Sequence, residues 1–188
     1  ECNENDLQCG SHYPADQKSR IEMIKKNQNP TPIHNNCSGK HAGMLALAKM
    51  LNQDITGYTQ INHAVQHTIL QTLKTTFQII PSDIAIDGCS AAAPFMTLKD
   101  IAALYLALGT NTEPTCQKIY KAISENPYLI GGRKRFDTEF IRAMKGKGIS
   151  KGGGEGVIGL FINTNKYGPV GIRPLLYRKF SWSYNNLQ

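Results

Sequence analysis

The sequence predicts a mixed α and β fold that is rich in helices and ends in a β-hairpin. Three observations predict it: several segments repeat apolar residues every three or four positions, one short run is β-branched, and two late apolar runs flank a turn. The chain has 188 residues, of which 40% are hydrophobic, a composition typical of a globular protein. No break between the predicted elements is long enough to be a linker. We therefore predict a single domain, or part of one, over residues 1–188.

Apolar residues at helical spacing predict six helices. The second begins near Ser38 and is expected to be largely buried, because small and apolar residues dominate it. Thr97 is expected to cap the fourth with its hydroxyl, and Gly109 to end it. In chain order the six are a short connecting helix around Ile21 and Ile24, the helix that begins near Ser38, and helices over 61–77, 98–108, 113–126 and 136–144.

Two regions predict β-structure. Residues 84–86 are apolar and rich in isoleucine, which is typical of a buried strand, and the strand ends at Asp87 and Cys89. Polar residues in the loop that follows a strand are often catalytic or ligand-binding residues. Residues 157–163 form a second apolar run, and a turn at 165–168 joins it to another short strand. This pattern predicts a C-terminal β-hairpin.

The glycine-rich segment 146–156, with its lysines, has the composition of a phosphate-binding loop. No G-x-x-x-x-G-K-[ST] string occurs in it, and the residues after the last glycine have the pattern of a strand instead of a helix. We therefore expect a flexible turn that places Lys151 beside the C-terminal sheet. The chain also holds no Ser-x-x-Lys string, which is the usual mark of a lysine-activated serine hydrolase.

Charge and composition disfavour several classes of protein. Lys and Arg number 21 against 14 for Asp and Glu, but the cations are dispersed, and neither zinc-finger spacing nor an RNP-like aromatic string occurs. We predict no nucleic-acid partner. No apolar run reaches the roughly 18–20 residues of a membrane-spanning helix, so we predict no membrane partner. The five scattered cysteines, an odd number, favour free thiols and a cytoplasmic location.

The densest group of reactive side chains lies in residues 35–44, where Cys37 and Lys40 are three positions apart at the start of a predicted helix. On one helical face, the amine and the positive end of the helix dipole favour a thiolate. Cys89, at the end of the strand, can meet this helix start, and two thiolates with a third donor suit zinc. Two other interpretations stay open: each cysteine is a small buried apolar residue, or Cys37 and His41 form a hydrolytic thiol pair.

Five phrases of the sequence occur in order along the chain: LQCGSHYP at 7–14, HNNCSGKHAGML at 34–45, DGCSAAAPF at 87–95, RFDTEFI at 135–141 and KGGGEGV at 151–157. In that order they resemble the asparaginase II family, the L-asparaginases of the Rhizobium etli type. The resemblance covers about residues 7–171, and residues 172–188 form a divergent tail.

The resemblance implies a fold similar to part of the serine β-lactamases and penicillin-binding proteins. It also implies hydrolysis of L-asparagine to L-aspartate and ammonia by a lysine-activated serine, with zinc as the cofactor. The residues concerned are Cys37, Lys40 and Cys89 as zinc ligands, Lys151 as a catalytic lysine, and Asp87 and His41 as substrate-binding residues.

One part of the family's pattern has no counterpart in the sequence. The family carries its Ser-x-x-Lys pair in an N-terminal portion, which corresponds to residues before Glu1. We therefore expect an L-asparaginase fragment that is inactive by itself and a homodimer when full length. The alternative is a non-catalytic zinc- or thiol-binding module.

Overall fold

The computed structural model describes residues 1–172, and its contacts divide the chain into two compact units, Glu1–Met96 and Thr97–Gln188. The fold is mixed α and β, as predicted. Within residues 1–172, no helix is both long enough and apolar enough to cross a membrane. The divergent tail predicted over residues 172–188 lies, except for Ile172, outside the described residues. The single-domain organisation stays a prediction.

The first unit, which is described in full, contains three α-helices and a two-stranded antiparallel sheet. In the sheet, Ile84 lies opposite Pro94 and Ile86 opposite Ala92, so the strands form a hairpin around the turn that begins at Asp87. The elements are α1 (Gln17–Lys25), α2 (Ser38–Met50), α3 (Ala64–Phe77), β1 (Asp83–Ile86) and β2 (Ala92–Phe95), with 3-10 turns at Glu4–Asp6 and Pro32–His34.

An apolar core joins α2 and α3 to the turn after β1. Met44 and Leu45 enter it from α2, and Val65 from α3. Cys89 and Ala91 enter the same cluster from the turn. Full burial of a Met, Leu or Val side chain contributes roughly 1.5–3 kcal/mol. The core therefore fixes the turn after β1 against the N-terminal half of α2.

Two predictions for the first unit need correction, and one strand was not predicted. Helix α3 begins at Ala64 and not at residue 61, because the ring of His63 caps it by accepting a hydrogen bond from the N–H of Val65. Strand β1 is exposed and not buried, with 69% of Ile86 accessible, because among the described residues β1 pairs with β2 alone. Strand β2 was not predicted, since alanine and proline have low β-propensity.

The second unit, described as far as Ile172, contains four α-helices and a three-stranded antiparallel sheet in the order β3-β4-β5. Strands β4 and β5 form the predicted C-terminal hairpin. Of the four helices, only the five-residue α6 was not predicted. The elements are α4 (Leu98–Thr110), α5 (Pro114–Glu125), α6 (Pro127–Gly131), α7 (Phe136–Met144), β3 (Gly148–Gly152), β4 (Ile158–Thr164) and β5 (Gly168–Ile172).

The glycine-rich segment contains a strand, which corrects the flexible turn expected there. Lys151 lies in β3 opposite Gly159 of β4. Ile149 and Ser150, which precede it in the strand, are buried. Pairing with β4 and the burial of Ile149 stabilise an extended backbone that the glycine content alone does not predict.

Helix α4 approaches the sheet closely at two glycines. A Cβ atom added at Gly109 would overlap the ring of Phe161, and one added at Gly159 would overlap the ring of Tyr105. The sequence predicted that Gly109 ends α4, but Gly109 lies inside the helix. The helix continues to Thr110, because the glycine serves the packing of helix on sheet.

We predict opposite effects of alanine at two helical glycines. Gly109→Ala should lower the free energy of unfolding by about 1–3 kcal/mol, because the added methyl group overlaps Phe161. Gly43→Ala in α2, where nothing lies within 4 Å of the added Cβ, should raise it by roughly 0.5–1 kcal/mol through helix propensity. Urea unfolding measures both changes. The same sign at both positions would contradict the close packing of α4 on β4.

Candidate metal centre

The buried side chain of Asn35 fixes the start of α2. Its Oδ1 accepts a hydrogen bond from the N–H of Cys37 at 2.7 Å, and its Nδ2 donates to the carbonyl of Cys9 at 2.6 Å. Cys37 is the N-cap residue of α2, but its thiol makes no capping hydrogen bond. The thiol therefore stays available beside the first turn of the helix, where a negative charge is favoured.

The turn after β1 presents a carboxylate and a thiol to each other. The N–H of Asp87 donates to the carbonyl of Ala91 at 2.9 Å, and the N–H of Ser90 donates to the carbonyl of Asp87 at 2.8 Å. Ser90 adopts a φ of 68°, which lets the chain reverse within a few residues. The thiol of Cys89 lies 3.4 Å from Oδ2 of Asp87, to which it donates.

These two segments bring together four side chains, which we call the cysteine–lysine cluster: Cys37, Lys40, Asp87 and Cys89. The ligand atoms of Cys37, Asp87 and Cys89 all lie within 4.8 Å of one another. Nζ of Lys40 donates to Oδ2 of Asp87 at 2.6 Å. The cluster thus holds the three predicted zinc ligands and one of the two predicted substrate-binding residues.

Charges inside the cluster oppose the effects of burial. Burial raises the pKa of the Cys37 thiol, and the charge of Lys40 opposes this only in part. Burial lowers the pKa of Lys40, but hydrogen bonds to Asp87 and Cys89 outweigh it, so this pKa lies above its ordinary value. The hydrogen bond from Lys40 holds the pKa of Asp87 below its usual range, against its partial burial. At neutral pH the cluster therefore contains an ammonium–carboxylate pair and a protonated Cys37.

His41 follows Lys40 in α2, but its ring is completely buried. Its Nδ1 lies 2.7 Å from the hydroxyl of Tyr58, which also accepts a hydrogen bond from the N–H of Gln8 at 2.9 Å. Its Nε2 has no hydrogen-bond partner in the described part of the chain. Burial, and then the charge of Lys40, lower the pKa of the ring, so His41 is neutral at pH 7. Its role in substrate binding stays a prediction.

Lys151 belongs to the second unit. Its side chain is exposed, and its Nζ donates to the carbonyl of Gly152 at 2.5 Å. The residues on either side of it, Ser150 and Gly152, both donate to the buried carboxylate of Asp137. Asp137 is not among the site residues that the sequence predicted. The available signal was an acid at the start of a predicted helix, next to apolar and small residues.

Comparison with known proteins decides the family. The L-asparaginase II family matches residues 1–171 of the 188. The chain belongs to the asparaginase II family. The match confirms the resemblance found in the sequence, and it includes both the cysteine–lysine cluster and Lys151. No curated protein matches the chain.

The donors in this asparaginase II chain fit zinc. Zn–S bonds of about 2.3 Å place the ligand atoms of a tetrahedral site about 3.8 Å apart. Ligand atoms that already lie within 4.8 Å of one another need only a small closure to reach that spacing. Two soft thiolates favour zinc over magnesium or calcium, which prefer oxygen donors. Beside Cys37 and Cys89, the cluster offers two candidates for a third ligand, the amine of Lys40 and the carboxylate of Asp87.

The hydroxyl of Tyr58 should stabilise the core behind the cluster. Tyr58→Phe leaves the N–H of Gln8 and Nδ1 of His41 without their partner. We expect the free energy of unfolding to fall by about 1–3 kcal/mol. The control is Tyr105→Phe, because the hydroxyl of Tyr105 has no hydrogen-bond partner among the described residues, and it should change stability by less than about 0.5 kcal/mol. Equal losses in urea unfolding would contradict the role of the Tyr58 hydroxyl.

Proposed function

We propose that this protein is an L-asparaginase, which hydrolyses L-asparagine to L-aspartate and ammonia and has zinc as its resident metal. The observation that carries the proposal is the cysteine–lysine cluster within a chain of the L-asparaginase II family. A structural zinc site is closed by four protein ligands, whereas a site that acts on substrate keeps a position open. The side chains of Lys40 and Asp87 are 44% and 42% exposed, so a small molecule can reach them.

Cys37 and Cys89 are the proposed anchors of the metal, and Lys40 is the third ligand. Lys40 must lose its proton to coordinate, since an ammonium has no lone pair. When bound, zinc supplies a positive charge that orients the substrate and polarises its carbonyl group.

Asp87 is the proposed partner of the substrate's α-ammonium group. In the structure, Oδ2 of Asp87 accepts a hydrogen bond from the ammonium of Lys40. An α-ammonium offers the same charge and the same kind of donor. Once Lys40 has lost its proton, Asp87 can accept the substrate in its place. This carboxylate would hold the amino acid beside the metal ligands.

Lys151 is the proposed proton acceptor of the reaction. A lysine next to a serine hydroxyl can accept its proton when the amine is neutral. The sequence contains no Ser-x-x-Lys string, so we assign Lys151 its role without assigning the serine. We further propose a homodimeric, cytoplasmic enzyme, which the family membership and the free cysteines support.

Zinc content tests the metal site. The protein should bind about one zinc per chain, and Cys37→Ala or Cys89→Ala should abolish binding. Cys2→Ala is the control, because Cys2 is exposed and not part of the cluster. Zinc affinity should rise with pH through the neutral range, because the raised pKa values of Cys37 and Lys40 keep both residues protonated at lower pH. Stoichiometric zinc in the Cys37/Cys89 double variant would place the metal elsewhere.

Asparagine hydrolysis by the full gene product tests the reaction. Lys151→Ala should lower kcat by about 10²–10⁴-fold, because its role is proton transfer. Zinc content should not change in this variant. Lys147→Ala, which removes an exposed lysine of the same segment, should keep kcat within about threefold. Ammonia release measures both. Stoichiometric zinc without hydrolysis in the unmodified protein would instead favour the non-catalytic metal-binding module.

A further inference from the structure

The buried carboxylate of Asp137 binds both neighbours of Lys151. Its Oδ1 accepts a hydrogen bond from the hydroxyl of Ser150 at 2.5 Å, and its Oδ2 accepts one from the N–H of Gly152 at 2.9 Å. Successive side chains of a strand point to opposite faces. Ser150 and Gly152 therefore face Asp137, and Lys151 faces the other side of β3.

We propose that Asp137 is a positioning residue for Lys151. The carboxylate holds the side chain of the residue before Lys151 and the backbone N–H of the residue after it, so β3 is bound on both sides of Lys151. The Lys151 side chain then leaves the sheet in one direction, although it is long and exposed. The inference rests on the proposed function of Lys151.

Asp137 is itself held rigidly at the start of α7. It is the second residue of that helix, where the helix dipole favours a carboxylate. Its neighbour Thr138 is completely buried, and the Thr138 hydroxyl lies 3.0 Å from the carbonyl of Pro127 and 2.7 Å from that of Gly132. The start of α7 is thus anchored independently of β3. A carboxylate on such an anchor can fix the strand that it binds.

Gly152 makes the close approach of the carboxylate possible. A Cβ atom at this position would lie 3.2 Å from Oδ2 of Asp137, tighter than ordinary packing allows. The N–H of Gly152 donates to this carboxylate. A side chain at residue 152 would crowd the same oxygen that accepts this hydrogen bond.

Kinetics of the full gene product on L-asparagine test the inference. Asp137→Asn removes the charge that strengthens both hydrogen bonds. The amide oxygen can still accept from the N–H of Gly152, but the hydroxyl of Ser150 must then accept from the amide instead of donating to a carboxylate. We expect kcat to fall about 10–100-fold while KM stays within about twofold, because the displaced group acts in the reaction and not in substrate binding. Ser150→Ala, which removes one bond and is expected to fold, should lower kcat about 3–10-fold, also with little change in KM. Amide hydrogen exchange at Gly152 should accelerate in Asp137→Asn.

Ile141→Val is the matched control. Ile141 is buried in α7, and loss of one methyl group destabilises the same helix while both carboxylate bonds remain. Its kcat should stay within about twofold of the unmodified enzyme. Unchanged kcat in Asp137→Asn and Ser150→Ala, with Lys151→Ala inactive, would overturn the inference and leave the proposed function intact. If Asp137→Asn does not fold, the kcat of Ser150→Ala alone tests the inference. Full activity of Lys151→Ala would overturn the proposed role of Lys151 and this inference with it, while the proposed asparagine hydrolysis would stand.

Discussion

The turn after β1 is held against the start of α2 by a shared apolar core, and the chemistry of the first unit depends on this contact. Cys89 is buried in that core together with Met44 and Leu45. Asp87, two residues earlier, stays exposed and reaches Lys40 at 2.6 Å across 47 residues of sequence. Packing thus determines where the turn lies, and the tight backbone of the turn determines which polar atoms face the helix.

The interactions within the cysteine–lysine cluster differ in how readily they can be replaced. An exposed ion pair contributes about 0–1 kcal/mol, so the bond between Lys40 and Asp87 can be exchanged for other partners at little cost. The burial of Cys89 in the core contributes to folding and is not open to such exchange. The cluster therefore combines a fixed thiol with two charged groups that can change partners. This combination suits a site that must accept both a metal and a charged substrate.

Local signals predicted much of the fold. Helix α7 has the predicted bounds, and α2 begins at Ser38 as expected. Both predictions depend on apolar spacing and helix-end signals, which involve only residues close together in the sequence. The approach of Cys89 to the start of α2 also followed from a strand end meeting a helix start. Strand β3 was missed, because its partner β4 and not its own composition stabilises it. Asp137 was missed for the same reason, since its bond to Ser150 joins two different elements.

The proposal that Cys37 and Cys89 together bind zinc depends on the packing of the turn after β1 against α2. X-ray absorption at the zinc edge, on protein loaded with one equivalent of zinc, tests it most directly because it counts the sulfur atoms around the ion. Two sulfur ligands at about 2.3 Å, completed by nitrogen or oxygen, are expected in the unmodified protein, whereas the Cys89→Ala variant should retain no stoichiometric zinc. A zinc shell of nitrogen and oxygen alone in the unmodified protein would contradict the proposal.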